Sequence, residues 1–224
     1  FFSRCANDPG CFAAADYFVS HRYLQHSSRR MMSVFLDERL ALLREKTPEK
    51  PFVVGEFGFQ DKRSGTLENP LMEEYDYALW TAAFVIDGLN RGVAGFSVWC
   101  LSEMYYPGNG FMNYGLWDFK DDGFRTRPVY HAWVPFSRLI RRGDAVRRCE
   151  AVPSGRVAAA YAGDTLFWVN ESAVPAEVVI EGAAPKTVRI MTEDTLAGDR
   201  ECGREQALEN GRFTAPPRSF GHAR

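Results

Sequence analysis

The run Phe52-Val53-Val54, closed by Gly55 and Glu56, constrains this chain most. It is wholly apolar and rich in β-branched residues, and Pro51 and Gly55 bound it. A strand without polar alternation is buried on both faces, the mark of a parallel sheet covered by helices. Such a strand would deliver Glu56 at its end. A carboxylate there costs free energy unless it is paired or used.

Two similar runs flank it. Ala15 to Tyr23 predicts a strand from Asp16 to about Ser20, ended by the pair His21 and Tyr23. Val93 to Cys100 predicts another, ended by Trp99. Between the runs lie helical patterns. Met32, Phe35, Leu36, Leu40 and Leu43 predict a helix over 31–45, stopped by Thr47-Pro48. Met72, Tyr75, Leu79, Ala82, Ile86 and Leu89 predict a second from Pro70 to Asn90, with Pro70 in its first turn and Gly92 just past its end. Val129, Trp133, Phe136 and Ile140 predict a third, with a kink or restart at Pro135. A long loop rich in aromatics, Tyr105, Tyr106, Phe111, Tyr114, Trp117 and Phe119, precedes that helix, and its length marks it as functional.

Strand, helix, strand, helix, strand, helix implies parallel strands joined by right-handed crossovers. Each strand is expected to present its chemistry at the carboxyl end, as in a (β/α)8 barrel. Three units do not close a barrel, so the remaining strands are expected upstream. From about Arg147 the pattern changes to short strands without helical period: a hairpin over 156–170, strands at 177–180 and 187–191, and a last strand over 212–220 interrupted by Pro216-Pro217. The expected fold class is therefore α/β. Residues 1–146 form the three C-terminal units of a (β/α)8 barrel, and 147–224 form a small all-β sandwich.

Composition narrows the function. The chain has 224 residues, 46% of them hydrophobic and 14% aromatic, enough for a substantial core. Its formal net charge of -2 gives no electrostatic reason to expect nucleic acid or an anionic membrane as a partner. No apolar run approaches the ~20 residues of a membrane span. Aromatic richness without basic excess suits a neutral polar ligand such as a sugar. The five cysteines show no paired metal-ligand spacing, so neither a metal nor another cofactor is expected. Cys5 and Cys11 flank the turn Asn7-Asp8-Pro9-Gly10, and a disulfide and two free thiols remain equal alternatives.

Pro-x-x-Val-Gly-Glu-Phe-Gly at 51–58, preceded by a strand ending His-x-Tyr and followed by one ending in Trp, resembles the glycoside hydrolases of clan A, the cellulase-like and β-xylosidase-like families. The tracts Asn113 to Phe119 and Asp122 to Trp133 resemble the segment leading into the eighth helix of that clan. The resemblance implies a retaining β-glycoside hydrolase acting on an oligo- or polysaccharide, with Glu56 as nucleophile. His21 and Tyr23 would line the site and donate to Glu56, and Trp99 would form the floor of the sugar subsite. Glu103, Tyr105 and Trp117 are further candidates for substrate contact. The clan's acid/base Glu, usually after Asn on the fourth strand, has no counterpart in the barrel part, since Asn170-Glu171 falls in the sandwich hairpin. The chain thus reads as a C-terminal fragment, inactive without the missing N-terminal half of the barrel. The opening residues carry no signal-peptide pattern, and any such leader is expected upstream. The composition and the Cys5–Cys11 loop lean towards a secreted or periplasmic protein. The competing reading is a non-catalytic carbohydrate-binding or structural module. A different barrel enzyme using Glu56 as a base would want a metal cluster or phosphate loop, and the sequence offers neither.

Overall fold

The computed structural model describes residues 8–61, 67–149, 157–181, 185–196 and 203–224. The first element, α1 (Pro9–Ala14), starts where the sequence predicts a turn. Asp8 Oδ1 accepts the backbone N–H of Gly10 at 2.9 Å and of Cys11 at 3.3 Å, and Pro9 sits in the first turn. Asp-Pro-Gly is as good a helix start as a turn, because the cap satisfies donors that have no helical partner. Cys5 lies outside the described residues, and with it the question of a Cys5–Cys11 pair.

Three parallel strands follow, in the order β1 (Phe18–Gln25), β2 (Phe52–Gln60), β3 (Gly95–Phe96). Their lengths differ from the sequence expectation. β1 runs on to Gln25, so His21 and Tyr23 lie inside it. β2 runs four residues beyond Glu56, which is therefore not strand-terminal. β3 is only Gly95–Phe96, and Trp99 stands past its end. Both extensions have the same cause. β1 and β2 pair with each other along their whole length, and the mutual hydrogen bonds carry polar residues that do not read as strand.

One helix follows each strand. α2 (Met31–Lys46) buries Met32, Phe35, Leu36, Leu40 and Leu43, the stripe its periodicity predicts. The predicted 70–90 helix is split into a 3-10 turn at Pro70–Glu73 and α3 (Tyr75–Arg91). Glu74 between them is extended, and Gly92 in the left-handed region closes α3. α4 (Pro128–Leu139) runs unbroken through Pro135, where a kink or restart was predicted. Pro135 only withholds an N–H from the carbonyl of His131, and packing against the rest of the protein carries the helix through. The long aromatic loop contains a hairpin, β4 (Met104–Tyr106) with β5 (Gly110–Met112).

The remaining strands form a six-stranded antiparallel sheet and a two-stranded one. The large sheet has β6 (Val146–Arg148), β7 (Val157–Ala162), β8 (Thr165–Asn170), β10 (Thr187–Met191), β11 (Arg204–Ala207) and β13 (Ser219–Ala223), in the order β11-β10-β13-β8-β7-β6. The small one pairs β9 (Ala176–Val179) with β12 (Arg212–Ala215). A short helix, α5 (Glu193–Leu196), follows β10. The predicted interrupted last strand is thus two strands in two sheets, because Pro216 and Pro217 cannot continue a ladder. Between the sheets lies a core of Leu166, Trp168, Ile180, Val188, Ile190 and Phe213.

The outer face of the large sheet packs on α3 and α4. Phe167 stacks on Phe136 at 4.7 Å, and Phe220 on Tyr75 at 6.0 Å. The Tyr75 hydroxyl donates towards the carbonyls of Arg218 at 2.8 Å and Met191 at 3.3 Å. One continuous core therefore joins helices and sheet. Every position of β8 is buried, because one face meets the helices and the other the small sheet. Among the described residues no helix is long and apolar enough to cross a membrane.

Candidate active site

The site begins with a slip in register. Phe18, Val19 and Ser20 of β1 pair with Phe52, Val53 and Val54 of β2, but His21 pairs with Glu56 and Tyr23 with Gly58. β2 holds one extra residue, Gly55, at that step. Side chains alternate faces along a strand, so one extra residue exchanges the faces for everything after it. Phe52 packs on Phe35 of α2. Phe57 packs on Phe84 at 4.8 Å and on Trp133, and Phe59 on Tyr77 and Trp80. Positions 52, 57 and 59 can share the helix-covered side only because of the bulge. The same bulge turns Glu56, Gly58 and Gln60 to the opposite side of the sheet. Re-aiming a side chain beside a site is a recurrent use of bulges.

On that side Glu56 is bracketed. The Tyr23 hydroxyl donates to Oε2 at 3.2 Å, and His21 Nδ1 lies 3.4 Å from Oε1. The Glu56 side chain is 28% exposed and that of His21 53%, so the carboxylate is reachable from solvent. Burial, reinforced by the charge and hydrogen bond of Glu56, pushes the Tyr23 hydroxyl far above the ordinary phenol range. Tyr23 therefore keeps its proton and stays a donor to the carboxylate. The Tyr114 ring meets the Tyr23 ring edge-on at 6.4 Å, and its hydroxyl accepts from Gln60 Nε2 at 3.2 Å.

Two glycines make this arrangement possible. A Cβ on Gly58 would stand 2.6 Å from the Tyr77 hydroxyl and 3.0 Å from Cε1 of Tyr23, and one on Gly55 would stand 2.4 Å from Val19 Cγ1 and 2.8 Å from His21 Nε2. The side chains of β1 thus lean over the bare backbone of β2. Buried Asn69 fixes the far end of β2, donating to the Phe59 carbonyl at 2.8 Å and accepting from the Asp61 N–H at 3.3 Å.

The other candidates are placed differently. Trp99 is half-buried, and the Trp99–Cys100 peptide is cis. Cys100 donates its N–H to the Tyr114 carbonyl at 3.1 Å, which ties the Trp99 segment to the loop that carries Tyr114. Among the described residues no hydrogen bond or ring contact joins Trp99 to Glu56. Glu103 is 7% exposed and held by Arg127 and by the N–H of Phe119 at 3.3 Å, which anchors the loop. Arg127 also binds Glu73 at 2.6 Å, donates to the Gly115 carbonyl at 2.8 Å and makes an ion contact with Asp118 at 2.8 Å. Trp117 packs edge-on against Tyr130 of α4 at 5.8 Å and, partly buried, against the core. Tyr105 is exposed on the hairpin, its ring 5.2 Å from that of Phe111. Glu171, which follows Asn170, lies 3.5 Å from Arg29 Nη1.

Sequence reasoning missed Gln60, Tyr77 and Tyr114. For Gln60 a signal existed: Glu56, Phe57, Gly58, Phe59 and Gln60 alternate polar and apolar, the mark of a continuing strand. Tyr114 sits among many loop aromatics with no period to single it out. Among the described residues no group of three or more histidine, cysteine, aspartate or glutamate side chains is placed to hold a metal ion.

No protein-family model and no curated protein matches the sequence. Its fold is similar to that of several solved structures, glycoside hydrolases among them. A family 51 α-L-arabinofuranosidase from Bifidobacterium longum superposes with a TM-score of 0.64 at 16% identity, over 96% of this chain and 54% of that one. A family 86 β-porphyranase from Bacteroides plebeius gives 0.64 at 14% identity, over 95% and 41%. A conserved exported protein from Bacteroides fragilis gives 0.61 at 13% identity, over 91% and 45%. The chain spans about half the length of these proteins. At such identities the likeness is one of fold, that of a mixed α/β chain.

Proposed function

We propose that this chain is the C-terminal part of a retaining glycoside hydrolase with Glu56 as its nucleophile. Residues 1–146 are the last three units of a (β/α)8 barrel, and 147–224 are a β-sandwich seated on its helices. The observation that carries this reading is the bracketing of Glu56 by the Tyr23 hydroxyl and His21 Nδ1, on the helix-free side of a parallel sheet.

Retention needs two carboxyl groups about 5–5.5 Å apart. Glu56 attacks the anomeric carbon while the second carboxyl protonates the departing oxygen. Water, deprotonated by that second group, then releases the sugar from the glycosyl ester. Tyr23 holds one carboxylate oxygen in line through its hydrogen bond. Trp99 supplies a flat apolar face for a sugar ring. The acid/base belongs to the first part of the barrel, beyond this chain, and without it Glu56 has no partner for turnover. A secreted or periplasmic location fits a carbohydrate polymer as substrate.

The test is mechanism-based labelling. The full-length protein is treated with a panel of activated 2-deoxy-2-fluoro glycosides and its peptides are mapped by mass. A glycosyl adduct on Glu56 is the expected result. An adduct on another carboxylate rejects the assignment of the nucleophile. Sugar binding without turnover or adduct across the panel favours the non-catalytic module instead.

A further inference from the structure

A second concavity lies far from Glu56 in the sequence, between α4 and the outer strands of the large sheet. Its origin is geometric. α4 covers the inner strands of that sheet, where Phe136 stacks on Phe167, while the edge strand β11 is exposed along its whole length. The result is a cleft of about 660 Å³. Clefts of roughly 300–1,000 Å³ hold small ligands.

One rung of the sheet forms its floor. Phe167, His222, Arg189 and Glu205 are directly opposed across β8, β13, β10 and β11, so all four point to the α4 side. Along the rung the surface passes from the packed Phe167 to charge at the open end. Arg189 pairs with Glu205 at 2.7 Å. Arg138 from α4 and Arg224 after β13 add two exposed guanidinium groups, and among the described residues neither takes part in an ion pair. The lining thus carries three arginines against one glutamate, in a chain whose formal net charge is -2. His222 Nδ1 is buried among these groups without a hydrogen-bond partner. Burial, and after it the positive charge of Arg189 and Arg224, pushes His222 down to about 4. The imidazole is therefore neutral at pH 7 and senses a positive local field.

We propose that this cleft is a second binding site, distinct from the Glu56 site, for a small carboxylate-bearing ligand of the size of a uronic acid or its disaccharide. Arg138 and Arg224 hold the carboxylate, since guanidinium groups match its two oxygens. The Thr187 hydroxyl, on the same wall of the cleft, meets the sugar hydroxyls. The proposal does not depend on the assignment of Glu56.

The full-length protein is titrated with sodium glucuronate, glucose and sodium sulfate, and binding is read by calorimetry and by the chemical shifts of His222. Glucuronate is expected to bind and glucose not to. Arg138→Ala and Arg224→Ala, both exposed and outside the core, are each expected to weaken glucuronate about 10-fold, the worth of one charge-assisted bond, with melting temperature unchanged. Glucose binding as tightly as glucuronate overturns the carboxylate assignment. Sulfate binding without glucuronate binding overturns the sugar assignment. Affinity unaltered in both variants, or no glucuronate binding at all, overturns the site.

Discussion

His21 lies opposite Glu56 across the β1–β2 ladder, and not opposite Gly55, because β2 holds one residue more than β1 at that step. The extra residue exchanges the faces of β2. It sends Phe57 and Phe59 into the helices and Glu56 to the open side. Tyr23, two residues further along β1, then reaches the carboxylate with its hydroxyl.

If Glu56 is the nucleophile, Glu56→Gln in the full-length protein lowers kcat/KM on the order of 10³-fold or more, with no loss of melting temperature. Tyr23→Phe removes one hydrogen bond to a charged group, about 1.5–3 kcal/mol, and lowers it about 10- to 150-fold. Chromogenic glycosides read both variants. Equal activity in Tyr23→Phe and the parent would separate Tyr23 from the chemistry.

Gly58→Ala places a methyl group 2.6 Å from the Tyr77 hydroxyl and 3.0 Å from Cε1 of Tyr23. Tyr77 is 1% exposed and cannot withdraw, so the strand or the Tyr23 ring must shift. The expected loss of stability is about 1–3 kcal/mol, measured by urea unfolding. An unaltered midpoint would mean that Tyr23 is not packed against bare backbone.

Arg127 binds three carboxylates from the 3-10 turn and the aromatic loop, Glu73, Glu103 and Asp118. Arg127→Met leaves buried Glu103 without a cation, while Asp118 keeps Arg125 at 2.9 Å, and costs about 3–5 kcal/mol at pH 7. Burial works against Glu73 ionising, yet hydrogen bonds from Arg127 and Arg125 hold its carboxyl below the ordinary value. A depressed carboxylate stabilises above the unfolded range and loses that effect as pH falls through its folded value. The gap between parent and variant is therefore expected to narrow in acid. Urea midpoints at pH 7 and pH 4 check this.

His222 is pushed down from 6.5 to about 4, by burial first and then by Arg189 and Arg224, with Glu205 opposing. Between these values the unfolded chain binds the proton and the folded one does not. Stability is therefore full above about 6.5 and falls as pH drops towards 4, by up to about 3 kcal/mol. His222→Gln should flatten the stability profile in that window. An unaltered slope would reject the depressed value.

Much of the core was legible. The buried stripe of α2 is the one its spacing predicts, since apolar residues at helical period have one way to be buried together. The hairpin of β7 and β8 follows from Gly163-Asp164 between two strand-forming runs. Glu103 shows the opposite case. Beside Trp99 it reads as a residue near the site, and its pairing with Arg127, far along the chain, appears only in the structure. No local pattern marks a pairing between positions 103 and 127.

The sequence by itself determined the alternation of strand and helix, the stripes that face the core, and the presence of a carboxylate within an apolar strand. These depend on period and composition over a few neighbouring residues. Only the tertiary structure decided that the strand continues past Glu56, that a bulge at Gly55 turns the carboxylate away from the helices, and that Tyr23, His21 and Tyr114 gather there. Register is a relation between two chain segments, and the space that admits Tyr23 exists only when Gly58 lies beneath it.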